Sequence, residues 1–243
     1  MKSHPQVIIF DVDGVLVDVQ GSFHRTTLDT VRFFTGKSAT RKELHRWKNQ
    51  SGFNDDWKLS TAWVRSLGGT AGYDEVKTKF MELYWGTNGK GNVDREKWLL
   101  PRASLRRLAS RADLALFTGR VRRETDYTLD RCRVREFFRH IVTVEDVERP
   151  KPDPEGLLKI LNGRDPSLAL YLGDNVDDAI ASQAAGIPFV GILPPGVHGR
   201  RERRALLTKF GAQAILSDVR EFEKWLKRPA SAKRARIPAL SKQ

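Results

Sequence analysis

The sequence predicts an α/β fold, a parallel β-sheet covered by helices on both faces and interrupted by an all-helical insertion. Three observations carry this expectation. Short apolar runs recur at 7–10, 114–117, 141–144, 169–172, 189–192 and 214–216, each the length of a strand buried on both faces. Segments with helical character fall between them, at about 102–110, 121–132, 154–162, 177–185 and 201–210, with a last one at 218–227. From about 20 to 98 only helical spacing remains, punctuated by Gly36, Gly52, Gly68-Gly69 and Gly86.

The first strand, Val7-Ile8-Ile9-Phe10, is apolar throughout and needs a sheet to pack in. In the insertion, Thr40-Arg41-Lys42-Glu43 fits a capping box, with a hydroxyl and a carboxylate satisfying free amides at a helix start. Leu59, Ala62, Trp63 and Leu67 share one helical face and stop at Gly68. Val76, Phe80, Leu83 and Tyr84 do the same before Gly86, so about four helices are expected. Pro154 suits a first helical turn, where its missing N–H has no partner in any case. The expected division is 1–18 and 100–227 for the α/β core, 19–99 for the helical insertion, and 228–243 for a basic flexible tail. That tail carries five Lys and Arg and no acid.

Composition narrows the function classes. With 243 residues, 40% of them hydrophobic, the chain can bury a substantial core. No stretch approaches the ~18 consecutive apolar residues of a membrane span. The start, MKSHPQVIIF, is too short in apolar residues for a signal peptide, and the one cysteine, Cys132, allows no internal disulfide or thiolate zinc site. A cytoplasmic location is expected. The net charge of +13 suits nucleic acid or an anionic substrate, although solvated helix faces and the loose basic tail account for it better.

In an open parallel sheet, ligands bind beyond the carboxyl ends of the strands. Four polar clusters follow strands here. After the first come Asp11 and Asp13, two residues apart, then Gly14 for a sharp turn. Such a pair suits a divalent cation, or a nucleophile beside an acid/base; it is also compatible with a plain Asp-Gly turn. Thr118-Gly119-Arg120 offers a hydroxyl, loop amides and a helix start for an anion, or simply an N-cap. Lys151 sits between Pro150 and Pro152, which restrict where it points. Gly173-Asp174-Asn175-Val176-Asp177-Asp178 gathers three acids in five residues, which favours a hard cation such as Mg²⁺ or an acidic helix start.

The four segments, DVDGVLVD, FTGR, RPKPDP and GDNVDD, resemble in order and spacing the motifs of the haloacid dehalogenase (HAD) superfamily. The insertion between the first two resembles the helical C1 cap of subgroup IA, with phosphoglycolate phosphatase and β-phosphoglucomutase. The resemblance implies a Rossmann-like core and Mg²⁺-dependent phosphoryl transfer. It implies that Asp11 attacks phosphorus to form an aspartyl-phosphate and that Asp13 protonates the leaving oxygen, then activates water. Thr118 and the Gly119 amide would hold the phosphoryl group and Lys151 would bridge it to Asp11. Asp11, Asp13 through its carbonyl, and Asp174 would ligate Mg²⁺, with Asp178 in or next to the ligand set and able to exchange roles with Asp177. Asp13 favours phosphoryl transfer over carbon–halogen cleavage, because family dehalogenases lack that second aspartate.

Specificity is expected from the cap. His24 and Arg46 are the candidate substrate contacts, with Arg25, Lys58 and the Trp47, Trp57 and Trp63 cluster nearby in sequence; helix packing accounts for the tryptophans better than substrate stacking. The expected activity is hydrolysis of a small phosphorylated metabolite. The alternatives are a β-phosphoglucomutase-like phosphomutase and a nucleic-acid binder or nucleic-acid-end phosphatase using the basic surface. Monomer and dimer are both open.

Overall fold

The computed structural model describes residues 5–53, 55–87 and 90–228. The expected tail from 228 onward lies, apart from Arg228, outside the described residues.

Strand β1 (Val7–Phe10) runs into a short β2 (Val17–Asp18). Four helices follow: α1 (Phe23–Thr35), α2 (Arg41–Lys48), α3 (Asp56–Ser66) and α4 (Tyr73–Trp85). The chain returns through β3 (Lys97–Trp98). It then alternates through α5 (Arg102–Ala109), β4 (Asp113–Phe117), α6 (Arg122–Cys132), β5 (Phe138–Val142), α7 (Glu155–Leu161), β6 (Ala169–Gly173), α8 (Val176–Ala184), β7 (Phe189–Ile192), α9 (Arg200–Lys209), β8 (Ala212–Leu216) and α10 (Phe222–Leu226).

The six long strands make one sheet in the order β5-β4-β1-β6-β7-β8, with every pair parallel. The chain starts in the middle, builds outward to β5, then crosses β1 and builds outward to β8. The change of direction lies at β1, so the carboxyl ends of β4, β1 and β6 form the crevice where ligands bind in such sheets. Alternation places Ile8 and Phe10 in one core cluster and Val7 and Ile9 in another. Both faces of β1 are therefore buried, which is why its sequence carries no polar residue.

The four helices share a core of their own, built on Val31, Leu44, Leu59, Trp63, Val64 and Val76. A second contact joins them to the sheet: Phe23, Phe80 and Tyr84 pack in the same cluster as Ile8 and Phe10. The two connecting segments pair with each other, Val17 with Trp98 and Asp18 with Lys97, antiparallel. The Thr40–Glu43 capping box forms as its residues imply. Gly36 closes α1 in the left-handed conformation at φ 65°, and Gly86 follows α4 at φ 72°.

One strand lies elsewhere than its apolar run suggests. Expected at 141–144, β5 occupies Phe138–Val142. It is an edge strand of the sheet, and its Arg139 and His140 reach toward solvent or half-exposed surroundings, so the strand does not need a continuous apolar run. Thr143 instead starts a short 3₁₀ turn, its hydroxyl and amide both donating to Asp146.

Candidate active site

Four polar clusters from the ends of β1, β4 and β6 and from the 150–152 loop converge on one cavity of about 320 Å³. Asp11, Asp13, Gly14, Thr118, Gly119, Lys151 and Asp174 all line it. The helical module closes the opposite wall with Phe23, His24, Lys48, Gly52 and the 55–58 turn.

Asp11 follows β1 directly, and its amide donates to the Leu172 carbonyl, which keeps it in register with β6. Lys151 reaches it from the far side: Nζ donates to Asp11 Oδ1 at 2.9 Å, Asp178 Oδ1 at 2.8 Å and the Phe117 carbonyl at 2.8 Å. All three ammonium protons are thus directed. Burial opposes the charge of Lys151, but Asp11 and Asp178 outweigh it and hold the ammonium above its ordinary pKa. For Asp11 burial dominates. Its carboxyl is pushed well above the usual range, against Lys151 and with the help of Asp178, Asp13 and Asp174.

Asp178 spends both oxygens on protein donors. Oδ1 accepts from Lys151 and from the Tyr171 hydroxyl at 2.6 Å, and Oδ2 accepts from the amides of Asp174 and Asn175, each at 3.1 Å. Asp177 points the other way. It accepts the Ser51 hydroxyl at 2.6 Å and the Gly52 amide at 3.1 Å, both from the loop after α2. Adjacent residues at a helix start therefore serve two different partners, because successive side chains on a helix diverge by about 100°. Asp174 lines the cavity, and burial pushes its carboxyl up to about 6, with Arg203 and Lys48 opposing and Asp178 and Asp13 adding to the rise.

Two glycines make this proximity possible. Gly14 has φ +73°, and a methyl group there would sit 2.3 Å from Asp174 Oδ2. A methyl on Gly173 would lie 2.5 Å from the Asp178 side chain. Asp11, Asp174 and Asp178 consequently bring one carboxylate oxygen each within 4.8 Å of one another, a donor set of hard oxygens.

Thr118 is buried at the end of β4, its amide held by the Val142 carbonyl, while Gly119 is exposed beside it. Asp13 is held by a side chain that no sequence signal marks. Arg120 donates to Asp13 Oδ1 from Nε at 2.8 Å and from Nη2 at 2.5 Å. In the sequence it is the last letter of FTGR, and nothing local signals a partner 107 residues away.

The two substrate candidates from the module part company. His24 lines the cavity; Arg46 is exposed on the outer side of α2 and does not. The inward position is taken by Lys48, two residues on, which pairs with Asp56 at 2.8 Å. Of the three tryptophans, Trp47 and Trp63 pack together in the module at 6.5 Å, while Trp57 borders the cavity with the Lys77 ammonium 4.0 Å from its ring centre.

The family model for haloacid dehalogenase-like hydrolases matches residues 101–192. An imidazoleglycerol-phosphate dehydratase of Phytophthora nicotianae is 32% identical over 209 residues, 82% of this chain and 46% of that protein. The chain thus spans about half the length of that relative. Phosphoglycolate phosphatase 1 of Pseudomonas aeruginosa is 26% identical over 211 residues, covering 81% of this chain and 72% of the relative. Over residues 101–192, and in its fold, the chain resembles the haloacid dehalogenase-like hydrolases. Among solved structures, a predicted phosphoglycolate phosphatase from Haemophilus somnus superposes with a TM-score of 0.73 at 18% identity, over 91% of this chain and 98% of the other. This HAD-like core is the sheet described above, and the matched segment 101–192 contains three of the four polar clusters. The first, with Asp11 and Asp13, lies upstream of it. No helix among the described residues is long and apolar enough to cross a membrane.

Proposed function

We propose that this hydrolase is a Mg²⁺-dependent phosphatase that releases phosphate from a small phosphorylated metabolite through an aspartyl-phosphate on Asp11. The observation that carries the reading is the convergence of Asp11, Asp13, Thr118, Lys151 and Asp174 on one cavity, with the Lys151 ammonium 2.9 Å from the Asp11 carboxylate.

In this reading an oxygen of Asp11 attacks phosphorus while the bond from phosphorus to the leaving oxygen breaks. Asp13 supplies the proton that the leaving alkoxide takes up. Water then attacks the phosphorus of the aspartyl-phosphate, Asp13 takes its proton, and the bond to Asp11 breaks to release phosphate. The Thr118 hydroxyl and Gly119 amide hold the phosphoryl oxygens. Lys151 offsets the repulsion between an anionic substrate and a carboxylate nucleophile.

The donor set fits a hard dication. Carboxyls as crowded and buried as Asp11 and Asp174 are held above their ordinary range, and a bound cation relieves that penalty. Asp11, Asp174 and the Asp13 carbonyl would hold Mg²⁺, with Asp178 beside them; bound there, the ion supplies positive charge to the phosphoryl oxygens.

Residues 19–99 act as a cap over residues 1–18 and 100–227, and their cavity wall selects the substrate. The relatives' names direct the choice of candidates: phosphoglycolate and imidazole-bearing phosphates such as histidinol phosphate belong in the panel with sugar phosphates, nucleotides and nitrophenyl phosphate. Phosphate release is measured for each with Mg²⁺ and with chelator. The expected outcome is turnover of at least one compound that chelator removes and that Asp11→Asn reduces to background. Full activity of Asp11→Asn, or activity indifferent to chelator, overturns the reading. Isomerisation of a sugar phosphate without net phosphate release redirects it to a phosphomutase.

A further inference from the structure

We propose that Arg120 is the positioning residue for the acid/base carboxylate Asp13, and that Glu96 locks Arg120 in place for this task. The inference rests on the phosphatase reading above, which supplies the role of Asp13.

Arg120 is 2% exposed, and each of its guanidinium nitrogens has a partner. Nε and Nη2 converge on one atom, Asp13 Oδ1. Nη2 also meets Glu96 Oε1 at 2.8 Å, and Nη1 meets Glu96 Oε2 at 3.2 Å and the Thr128 hydroxyl at 2.8 Å. The guanidinium lies over the Phe23 ring, 4.9 Å from its centre. A planar fork held at this many points cannot swing.

Glu96 is 6% exposed and is itself held from three directions. It accepts the Ser22 hydroxyl at 3.2 Å, the Tyr84 hydroxyl at 3.0 Å and the Thr128 hydroxyl at 2.9 Å. Ser22 precedes α1, Tyr84 lies in the last turn of α4, and Glu96 stands next to β3 in the segment returning from the helical module. The anchor of Arg120 is thus fastened at the junction of the two halves of the molecule.

The consequence for Asp13 is chemical. Both guanidinium bonds fall on Oδ1, and none of the described hydrogen bonds reaches Oδ2. A carboxyl carries its proton on the oxygen that does not face a cation. Oδ2 is therefore the atom that gives the proton to the leaving oxygen as the P–O bond breaks and takes it back from the attacking water. Arg120 touches neither proton; it determines which oxygen carries them and where that oxygen points.

A buried ion pair kept for stability alone would have the same distances, so the test uses the leaving group. An alkyl phosphate needs its leaving oxygen protonated, whereas nitrophenolate leaves without help. Arg120→Lys keeps a cation opposite Glu96 but cannot place two bonds on one oxygen. Turnover of an alkyl phosphate by this variant is expected to fall by about 10²-fold, while its pre-steady-state burst of nitrophenolate stays within about 3-fold of wild type. The pair variant Arg120→Met with Glu96→Gln, which removes both buried charges together, is expected to show the same split. Equal losses on the two substrates, or an alkyl-phosphate rate within about 3-fold of wild type, overturn the proposal. Should the pair variant fail to fold, Arg120→Lys decides alone. A wild-type enzyme inert toward both esters overturns the phosphatase reading instead, and is recognised before any variant is made.

Discussion

A methyl group on Gly14 would stand 2.3 Å from the Asp174 carboxylate, on a backbone that already has φ +73°. Gly14→Ala therefore has to displace a side chain that the proposed cation site needs. The expected cost is about 1–3 kcal/mol of stability, together with a Mg²⁺ affinity at least about 10-fold weaker (1.4 kcal/mol). Chemical denaturation and calorimetric Mg²⁺ titration measure the two; an unchanged Mg²⁺ affinity would contradict the proposed ligand role of Asp174. Glu124 gives a second test at this scale. It borders the cavity at the start of α6, and burial pushes its carboxyl up to about 8, with Arg120 opposing and Asp13 and Glu96 adding to the rise. The folded state favours the protonated form. Its contribution is fully present below the ordinary value of 4.5 and is lost as pH rises through about 8. Glu124→Gln should thus gain stability relative to wild type between about pH 5 and pH 9, by a few kcal/mol in urea denaturation. A difference that does not change with pH would sink this account. That Asp11, Asp13, Thr118 and Asp174 share one cavity was legible because each follows a strand end; the contacts of Glu124 and Arg120 were not, because they depend on which distant carboxylates the two residues meet.

The loop after α2 links the helical module to the core. Ser51 and Gly52 donate to Asp177, and Asn49 accepts from Arg203 Nε at 2.7 Å. Asp177 is buried, so its carboxylate is satisfied by this loop and not by water. Asp177→Ala should release the loop, seen as faster hydrogen exchange of the Gly52 amide. A stability cycle with Ser51→Ala should show coupling of about 1–3 kcal/mol, the range for hydrogen bonds to a charged acceptor. Additive effects and unchanged exchange would mean that the loop is held by other contacts. Most elements were readable from pattern: apolar runs matched β1 and β7 residue for residue, and the capping box marked the start of α2. No continuous apolar run marks β5, because an edge strand tolerates Arg139 and His140. The inward face of α2 is likewise not marked by its sequence. Spacing alone does not say which side of a short, polar helix meets a cavity, and Lys48 proved to face it where Arg46 had been expected.

At the scale of the molecule, His24 and His45 stand edge to face at 5.6 Å on the module side, and His45 lies 6.0 Å from His198 of the core. Burial, joined by Lys48 and the neighbouring imidazole, holds His24 well below its ordinary range; burial and Arg203 bring His45 to about 4. Both are neutral in the fold and must take up protons to match the unfolded chain in acid. Their contribution is present above about 6.5 and is lost as pH falls toward 4. The melting temperature should drop across that interval, and His45→Gln should flatten the drop; an equally steep fall in the variant would place the acid sensitivity elsewhere. The sequence by itself determined the sheet, the helical insertion and the family resemblance, because buried strands demand apolar runs and strand ends display their polar residues locally. Only the tertiary structure decided that Asp177 serves the module while Asp178 serves Lys151, and that Arg120 holds Asp13 from a buried station on Glu96. Those partnerships join residues 13 and 120, 96 and 120, and 51 and 177. No local pattern encodes such distances; they follow from packing the helical module onto the end of the sheet.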